Sequence, residues 1–456
     1  MTSKRNVVIV GAGVGGMCAG ALLANRGYQV TVLERLDTVG GRTRTQVIEG
    51  YRLPRGAVSF QLTGALPKLF AEVGAEVDVR PVSETWFWIK GGGDFTQLPA
   101  RGGIKKMFEM FAQVHGGNKA EAMAQVALQL AITRVGAAFK NPGDAAERDD
   151  GPTFREWLLQ HTDNEELLSL FHAITSAVSA VNDFEYPARH WFAHFSQKGL
   201  DARVDQFGLV AGGFVAVSQA LQAVIERHGG SVHLNRPVRR ILTSGGRATG
   251  VEVEVDGVVQ TLPADIVISN SGPTVTLDLA GDAAFERDYA EHVRARIRPT
   301  PIVLTFVVSD EPLFTPRASI LAAGLKRIVT AVPLTNICPE WAPDGKHVMS
   351  FYGTPKSCLT PMDKDDERRT NIEDVHTLFP NLAAKGGRIL DVQLRDVGDA
   401  DVVARSWPGY GVPVQTSIPN LFMVGDACGP PGFIATPAAA MSARIAADLI
   451  TGGDAA

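Results

Sequence analysis

Short apolar runs mark the predicted strands near the start of the chain. Residues 7–10 are all β-branched, and residues 30–33 form a second, mostly apolar run, as expected of strands buried on both faces of a parallel sheet. Between them, Met17 to Arg26 shows a helical pattern rich in Ala and Leu, and Gly27 follows as its expected C-cap. This order of strand, helix and strand predicts an α/β fold.

A glycine-rich turn joins the first predicted strand to the helix and carries the pattern of a dinucleotide-binding site. It reads Gly11-Ala12-Gly13-Val14-Gly15-Gly16. In a G-x-G-x-x-G turn, the first glycine permits the tight turn, the second lets backbone amides approach a pyrophosphate, and the third lets the helix pack closely on the strand. Glu34 ends the second strand, where a carboxylate can accept hydrogen bonds from a ribose diol. We therefore predict a Rossmann-like domain whose cofactor contacts are Gly11, Gly13, Val14, Gly15, Gly16, Glu34 and Arg35.

Two more segments narrow the predicted dinucleotide to FAD. A flexible Gly-Gly followed by a fixed cation, as in Gly40-Gly41-Arg42, can wrap the far side of a pyrophosphate, and nicotinamide-binding folds have no need of it. Near the other end, an apolar run ends in Gly425-Asp426, where backbone and a carboxylate can meet phosphate and ribityl hydroxyls. A predicted helix from Thr436 to Ile450 directs its N-terminus at the pyrimidine end of the flavin. The further predicted contacts are Gly41, Arg42, Gly425, Asp426, Gly432, Phe433 and Ile434.

The motifs at the two ends of the chain resemble the phytoene-desaturase-like branch of the flavin amine oxidase superfamily. They are VVIVGAGVGGMCAGALLANRGYQVTVLE with GGRTRT at one end and PNLFMVGDACGPPG at the other. The resemblance implies a GR2-type flavoprotein, with a Rossmann-like FAD-binding domain, an interleaved α+β substrate-binding domain, and backbone contact of Val238 with the adenine. The implied FAD-binding domain takes residues 1–76, 205–297 and 406–456, and the substrate-binding domain takes residues 77–204 and 298–405.

Two departures from the family pattern bear on the reaction. Pro54 stands where the family often has an acidic residue. Amine-oxidizing relatives place a lysine just before a strand that resembles residues 301–306, and no lysine occurs between Lys198 and Lys326. The missing lysine weakens the amine oxidase interpretation and favours dehydrogenation at carbon.

Three side chains are candidate catalytic groups. Tyr410, between Gly409 and Gly411, has a chain position that suits the approach to the flavin ring, and a surface tyrosine is the equal alternative. His190 and His194 are four residues apart and share a helix face. They are interpreted as ordinary core or surface histidines, or as a pocket-lining acid or base. No metal is predicted, because a site would need a third ligand and no H-E-x-x-H pattern occurs.

The four cysteines are scattered and include no C-x-x-C pair, which argues against a zinc site or a disulfide framework and suits a reducing cytoplasm. Cys428 closely follows Gly425-Asp426. Related enzymes with a covalent flavin link usually carry the cysteine well upstream of this motif, so the resemblance implies non-covalent FAD.

The segments between the motifs give weaker predictions. Their spacing and composition predict helices and strands, with one polar linker. The predicted elements are helices at Ile104 to Phe139 and Phe154 to Val181, a linker at Asn141 to Gly151, and strands at Trp86 to Trp88, Ile302 to Val308 and His347 to Tyr352.

These observations predict an FAD-dependent dehydrogenase or desaturase. It removes hydride from an sp³ carbon of an apolar or alicyclic small molecule to flavin N5 and leaves a C=C bond. If the substrate is a ketone, a base must remove the adjacent proton, and Tyr410 is the first candidate. The alternatives are an oxygen-using amine oxidase, a redox-neutral flavin isomerase, and a non-catalytic carrier of an apolar ligand.

Charge and hydropathy limit the expected partners. A net charge of −5 without a basic stripe argues against nucleic acid, and the most apolar helical stretch, Ala122 to Phe139, is too polar to span a bilayer. Oxygen or a quinone is the predicted electron acceptor, because no second G-x-G-x-x-G follows a strand. A cytoplasmic location is expected, with peripheral membrane contact and a homodimer left open.

Overall fold

A computed structural model describes residues 5–82, 86–90, 94–98, 151–196, 207–430 and 432–454. The predicted helix Ile104 to Phe139 and residues 141–150 of the predicted linker lie outside the described residues. The helices are α1 (Val14–Asn25), α2 (Ala65–Val73), α3 (Phe154–Leu159), α4 (Glu165–Ser179), α5 (Ala188–Ser196), α6 (Val215–Arg227), α7 (Pro273–Ala280), α8 (Arg287–Arg296), α9 (Leu334–Ile337), α10 (Lys364–Leu378) and α11 (Ala435–Asp454). The strands are β1 (Asn6–Val10), β2 (Gln29–Leu33), β3 (Thr45–Ile48), β4 (Tyr51–Pro54), β5 (Ser59–Gln61), β6 (Val79–Pro81), β7 (Trp86–Lys90), β8 (Asp94–Leu98), β9 (Phe207–Val210), β10 (Ser231–His233), β11 (Val238–Ser244), β12 (Arg247–Val255), β13 (Val258–Pro263), β14 (Ile266–Ser269), β15 (Ile302–Ser309), β16 (Ile320–Ala322), β17 (Ile328–Pro333), β18 (His347–Gly353), β19 (Arg388–Arg395) and β20 (Leu421–Met423).

Five parallel strands form one sheet, in the order β10, β2, β1, β14, β20. Every residue of β14 and the last four residues of β1 are buried, as expected of parallel strands with helices on both faces. Helix α1 packs against α6 and α11. The strand order runs outward in two directions from β1 and β14, so the switch point of this doubly wound sheet lies between them. The arrangement confirms the predicted α/β fold class.

A mixed sheet of seven strands has the order β19, β15, β18, β17, β16, β7, β8. Its neighbours are antiparallel except β16 and β7, which are parallel. One face packs on α10, where Phe351 and Ala331 share a core cluster with Val375 and Leu378. The predicted strands at 86–88, 302–308 and 347–352 are confirmed as β7, β15 and β18. The smaller sheets are β11–β12–β13, β5–β9–β6 and the hairpin β3–β4.

The single helix predicted from Phe154 to Val181 is wrong, because the chain forms two helices there. Helix α3 ends at Leu159, and α4 begins at Glu165. The Asn164 side chain accepts hydrogen bonds from the backbone N–H groups of residues 166 and 167 at 3.0 and 3.1 Å, which starts a new helix. Both helices contribute to one core cluster, so their apolar spacing looks continuous in the sequence.

The longest helix of the described residues is α11, with 20 residues. Among the described residues, no helix combines the length and the apolar character needed to cross a membrane.

Candidate functional site

A cavity of about 1320 Å³ runs from the carboxyl edge of the parallel sheet to one face of the seven-stranded sheet. Pockets for small molecules usually measure about 300–1,000 Å³, so this space exceeds what one small ligand requires. Gly11, Glu34, Asn270 and Gly425, which follow four of the parallel strands, lie in its wall. This is the expected place for a ligand, at the switch point of a doubly wound sheet.

The glycines after β1 lie against the segments that follow β14 and β20. A Cβ atom on Gly13 would lie 2.5 Å from Asn270 Nδ2, and one on Gly15 would lie 2.9 Å from the backbone nitrogen of Gly425. A Cβ atom on Gly16 would lie 2.2 Å from the carbonyl oxygen of Gly11. The backbone contacts exclude any larger residue at Gly15 and Gly16, whereas a side chain at Gly13 would have to displace the Asn270 amide. Gly13 is also the N-cap of α1 and makes no side-chain cap, so the first N–H groups of the helix stay available to an anion.

A second glycine loop lies beside the first. Gly40 and Gly41 have φ angles of +100° and +53°, in the left-handed region that favours glycine. The Gly40 N–H donates to the carbonyl oxygen of Ala12 at 2.8 Å, and Gly40 also forms a parallel bridge with Gly13. The two predicted pyrophosphate-binding loops therefore form one continuous glycine surface.

The Glu34 side chain, directly after β2, holds the first glycine loop in place by a hydrogen bond. Only 5% of the residue is exposed. Its Oε2 accepts a hydrogen bond from the Ala12 N–H at 2.7 Å, and its Oε1 accepts one from the Leu36 N–H at 3.1 Å. Each carboxylate oxygen has a further lone pair, and Glu34 lines the cavity, so it can also accept hydrogen bonds from a ligand.

Arg42 and Asp426 form a bidentate ion pair at the same edge, although 384 positions separate them. Arg42 Nη1 donates to Asp426 Oδ2 at 2.9 Å, and Nη2 donates to Oδ1. Burial acts to raise the pKa of Asp426, but the charge and hydrogen bonds of Arg42 outweigh it and hold that pKa below its usual value. Burial also opposes the charge of Arg42, and the Asp426 carboxylate nevertheless raises the pKa of Arg42. Both groups therefore stay ionised.

Arg405, which the sequence motifs do not single out, lies next to this pair. Its backbone N–H donates to Asp426 Oδ2 at 3.0 Å, and its side chain crosses Gly272, where a Cβ atom would lie 3.3 Å from Arg405 Cδ. Burial and then the charge of Arg42 lower the pKa of Arg405. Arg405 thus brings a further cation to the cavity wall, beside Arg42. Asn270, at the carboxyl end of β14, was also not predicted as a cavity residue.

Most of the predicted cofactor residues line this cavity. Gly432, Phe433 and Ile434 precede α11, and Val238 begins β11. Gly16 is not among the lining residues, because it packs inside the glycine turn. The predicted residues in the wall are Gly11, Gly13, Val14, Gly15, Glu34, Arg35, Gly41, Arg42, Val238, Gly425, Asp426, Gly432, Phe433 and Ile434.

His194 also lines the cavity. It is buried on α5 and forms a hydrogen bond with the backbone of Gly432. Burial lowers the pKa of His194 from 6.5 to about 4, against the smaller opposing effect of that hydrogen bond. The imidazole is therefore neutral at physiological pH.

Tyr410 and His190 lie behind the wall rather than in it. Tyr410 is only 4% exposed, so the alternative of a surface tyrosine is wrong. Its hydroxyl accepts a hydrogen bond from Arg298 Nη1 at 3.0 Å, and the guanidinium carbon of Arg298 lies 4.2 Å from the centroid of the ring. The His190 ring lies 4.9 Å from the Tyr410 ring, centroid to centroid. Gly409 and Gly411, on either side of Tyr410, line the cavity.

The far end of the cavity is one face of the seven-stranded sheet. Ile302 and Leu304 on β15 and Val332 on β17 contribute apolar side chains, and Ser350 and Tyr352 on β18 contribute hydroxyl groups. Residues 177–180, at the end of α4, also line the cavity. The sequence predicted two of these strands but not which of their residues face a ligand.

The described residues contain no group of three His, Cys, Asp or Glu side chains placed to hold a metal ion. The four cysteines are buried, and none is in a disulfide. Cys428 is not among the described residues that line the cavity, and burial raises the pKa of its thiol well above the usual value.

Sequence comparison finds similarity to desaturases. The chain is 24% identical over 270 residues to a 4,4'-diapophytoene desaturase (4,4'-diapolycopene-forming) of Methylomonas sp, covering 56% of this chain and 52% of the relative. It is 28% identical over 304 residues to a phytoene desaturase of Cercospora nicotianae, covering 59% of this chain and 46% of the relative. The matched region therefore spans about half the length of these relatives.

Structure comparison finds the same fold in several solved proteins. An oxidoreductase from Methanosarcina mazei is 24% identical, with a TM-score of 0.78 and coverage of 96% of this chain and 99% of that one. A putrescine oxidase is 19% identical, with a TM-score of 0.72 and coverage of 98% and 99%. A CLA-producing fatty acid isomerase from P. acnes is 17% identical, with a TM-score of 0.66 and coverage of 99% and 99%.

A family model for flavin containing amine oxidoreductases matches residues 14–451. The match runs from the start of α1 into α11, which follows the Gly425-Asp426 segment. From Val14 onward it therefore includes the residues at the end of the cavity lined by the two glycine loops, which we call the nucleotide end. It confirms the resemblance that the sequence motifs indicate. The chain belongs to the flavin-containing amine oxidoreductase family.

Proposed function

We propose that the protein is an FAD-dependent dehydrogenase that introduces a C=C bond into a small apolar or alicyclic molecule. The observation that carries the proposal is the cavity that joins the glycine loops to a sheet face of apolar and uncharged hydroxyl side chains. A cofactor held at one end would meet a substrate held at the other without water between them. The similarity to proteins named desaturases supports the choice of reaction.

The residues at the nucleotide end fit FAD. The first glycine loop leaves little room for side chains, and the second has positive φ angles that favour glycine, as close approach of the backbone to a pyrophosphate requires. Glu34 would bind the ribose diol, Val238 the adenine, and Arg42, Asp426 and Arg405 the phosphate and ribityl groups. Cys428 is buried outside the cavity wall with a protonated thiol, which supports non-covalent binding.

We also propose the two discontinuous domains that the family resemblance implies. The strands of the parallel sheet come from residues 6–33, 231–269 and 421–423, within the proposed FAD-binding domain. The strands of the seven-stranded sheet come from residues 86–98 and 302–395, within the proposed substrate-binding domain. Oxygen or a quinone remains our proposed electron acceptor.

Bound flavin supplies the hydride acceptor, and the chain supplies position and environment. Ile302, Leu304 and Val332 would orient the substrate by apolar contact and exclude water. His194 is neutral because its pKa lies near 4, so it suits a hydrogen bond better than general-base catalysis at neutral pH. Tyr410 is a positioning residue in this proposal, since its ring and hydroxyl contact Arg298 behind the wall.

The test is anaerobic bleaching of the bound flavin across a panel of isoprenoid, alicyclic ketone and amine candidates. We expect an isoprenoid or alicyclic compound to bleach the flavin and to lose one hydride and one proton, so that its mass falls by two hydrogens. Bleaching by amines, with peroxide on readmission of oxygen, would establish an amine oxidase instead. Turnover that consumes no acceptor would indicate an isomerase, and an unchanged flavin with every compound would indicate a carrier.

A further inference from the structure

A group of hydroxyl side chains, which we call the hydroxyl row, lies on the cavity face of the seven-stranded sheet. On neighbouring strands, Ser350 lies opposite Val332, and Tyr352 lies opposite Thr330. Ser319 directly precedes β16, the next strand of the sheet. The members of the hydroxyl row, all of which line the cavity, are Ser319, Thr330, Ser350 and Tyr352.

These hydroxyls have hydrogen-bonding capacity that the protein leaves unused. Ser319 is 3% exposed, and its Oγ has no hydrogen-bond partner among the described residues. The Tyr352 hydroxyl donates to the carbonyl oxygen of Ser176 at 3.2 Å, so its oxygen can still accept. A buried polar atom without a partner is unfavourable, and where it lines a cavity, as Ser319 does, a bound group can complete it.

The surroundings of the hydroxyl row limit what that bound group can be. The neighbouring wall residues Ile302, Leu304 and Val332 are apolar, and a pocket of this kind uses its few polar groups to fix the orientation of a ligand. The row contains no ionised group, so it offers no counter-charge to a carboxylate or an ammonium. Serine and threonine hydroxyls both donate and accept, so they can donate to a ketone oxygen and can either donate to or accept from an alcohol.

We propose that the hydroxyl row is a specificity site that binds a neutral hydroxyl or carbonyl oxygen of an otherwise apolar substrate. The proposal rests on the dehydrogenase function and narrows its substrate class from apolar or alicyclic molecules in general to those that carry a neutral oxygen. A plain hydrocarbon would fill the same apolar space but would leave the hydrogen-bonding capacity of Ser319 unused.

The test compares matched ligands by the shift they cause in the absorbance of bound flavin under anaerobic conditions. Limonene is titrated against its ketone carvone and its alcohol carveol, and phytane against phytol. We expect each oxygenated compound to bind about 10-fold more tightly than its hydrocarbon, the effect of one or two net hydrogen bonds. In the Ser319→Ala, Ser350→Ala double variant the preference should fall to about 2-fold or less.

Thr305→Val is the matched control. Thr305 is fully buried and its hydroxyl also lacks a partner among the described residues, but it pairs with Phe351, on the face that packs against α10. This variant should keep the preference of the natural protein, which separates loss of recognition from general disturbance of the sheet.

The possible outcomes separate this proposal from the proposed reaction. Equal binding of hydrocarbon and oxygenated partner, or no shift with either, would overturn the specificity site. A preference that survives in the double variant, or that is lost in Thr305→Val as well, would also overturn it. An absorbance shift without bleaching would support the specificity site and contradict dehydrogenation of that ligand. If the same concentrations of limonene and carvone bleached the flavin, dehydrogenation would be supported and the specificity site overturned.

Discussion

The two ends of the cavity are built from different parts of the chain. The nucleotide end is mainly backbone, where glycines such as Gly15 exclude side chains and Arg42 and Asp426 fix the charge. The substrate end consists of side chains from one face of a sheet whose other face packs on α10. A surface made of backbone tolerates little change and suits a constant cofactor. A surface made of alternate side chains can change one residue at a time while the opposite face keeps the sheet in place.

The largest effect is expected from a side chain placed between the glycine loop and the segment after β20. In Gly15→Val the Cβ atom would lie 2.9 Å from the Gly425 backbone nitrogen, and backbone cannot move aside as a flexible side chain can. We expect the purified variant to contain no flavin, measured by absorbance and by release of flavin on denaturation. Gly151→Ala is the control, because no atom lies within 4 Å of its added Cβ. Full flavin content in Gly15→Val would contradict the conclusion that backbone atoms leave no room for a side chain at this end of the cavity.

The second largest effect is expected from a change to the Arg42–Asp426 ion pair at the nucleotide end. Asp426→Asn keeps the shape of the side chain but leaves Arg42 without its charge partner. We expect the free energy of unfolding of the apoprotein to fall by about 3 kcal/mol. This value is the low end of the range for breaking a buried ion pair, because the Arg42 side chain is 24% exposed. Urea unfolding measures this. Glu373→Gln, at an exposed pair with Arg369, should cost under about 1 kcal/mol. Equal losses in the two variants would show that the Arg42–Asp426 pair has no special role.

The difference between the two ends also explains how much the sequence could predict. The first glycine loop is a local sequence feature, because its strand, turn and helix are consecutive in the chain. The spacing of its glycines therefore predicts the binding of a dinucleotide directly. The Gly425-Asp426 segment was also found, although nothing in the sequence indicates that Asp426 pairs with Arg42 across 384 positions. The family resemblance therefore added the connection between distant segments that local patterns lack.

The substrate end could not be predicted in the same way. Ser319 and Ser350 become neighbours of the cavity through the strand order and register of a seven-stranded sheet, which short apolar runs do not determine. Arg405 lies in a segment without any motif. Tyr410 was singled out by its flanking glycines, yet those glycines line the wall while its ring contacts Arg298. Asn164, in contrast, is a residue type typical of a helix N-cap, but the continuous apolar spacing around it led to the prediction of one helix.

Arg405→Ala tests whether a side chain, besides the backbone, binds phosphate at the nucleotide end. If the Arg405 guanidinium contacts the phosphates, the variant should bind FAD about 10- to 100-fold more weakly, the value of one or two charge-assisted hydrogen bonds. Riboflavin, which has no phosphate, should bind with unchanged affinity in fluorescence titrations. Arg405→Lys should recover part of the FAD affinity. An equal loss for riboflavin and FAD would indicate that Arg405 only supports the fold.

The smallest effect at neutral pH is expected from His194, which lines the cavity and forms a hydrogen bond with the backbone of Gly432. Its pKa is about 4 in the folded protein and near 6.5 in the unfolded chain, so between these values the unfolded chain binds a proton that the folded protein does not. Stability should therefore fall as pH decreases from 6.5 to 4, and it should be unaffected by this group at higher pH. In His194→Gln this contribution disappears, because glutamine does not titrate.

Denaturant unfolding at pH 7 and pH 5 measures the His194 contribution directly. Between these two values the natural protein should lose about 2 kcal/mol more unfolding free energy than His194→Gln, from about 1.4 kcal/mol per pH unit and proton. Other groups titrate in both proteins and cancel in the difference. An equal loss in the two proteins would mean that His194 reaches water and is protonated in the folded state. The cavity wall at His194 would then be open to solvent, and the proposed exclusion of water from the reacting carbon would fail.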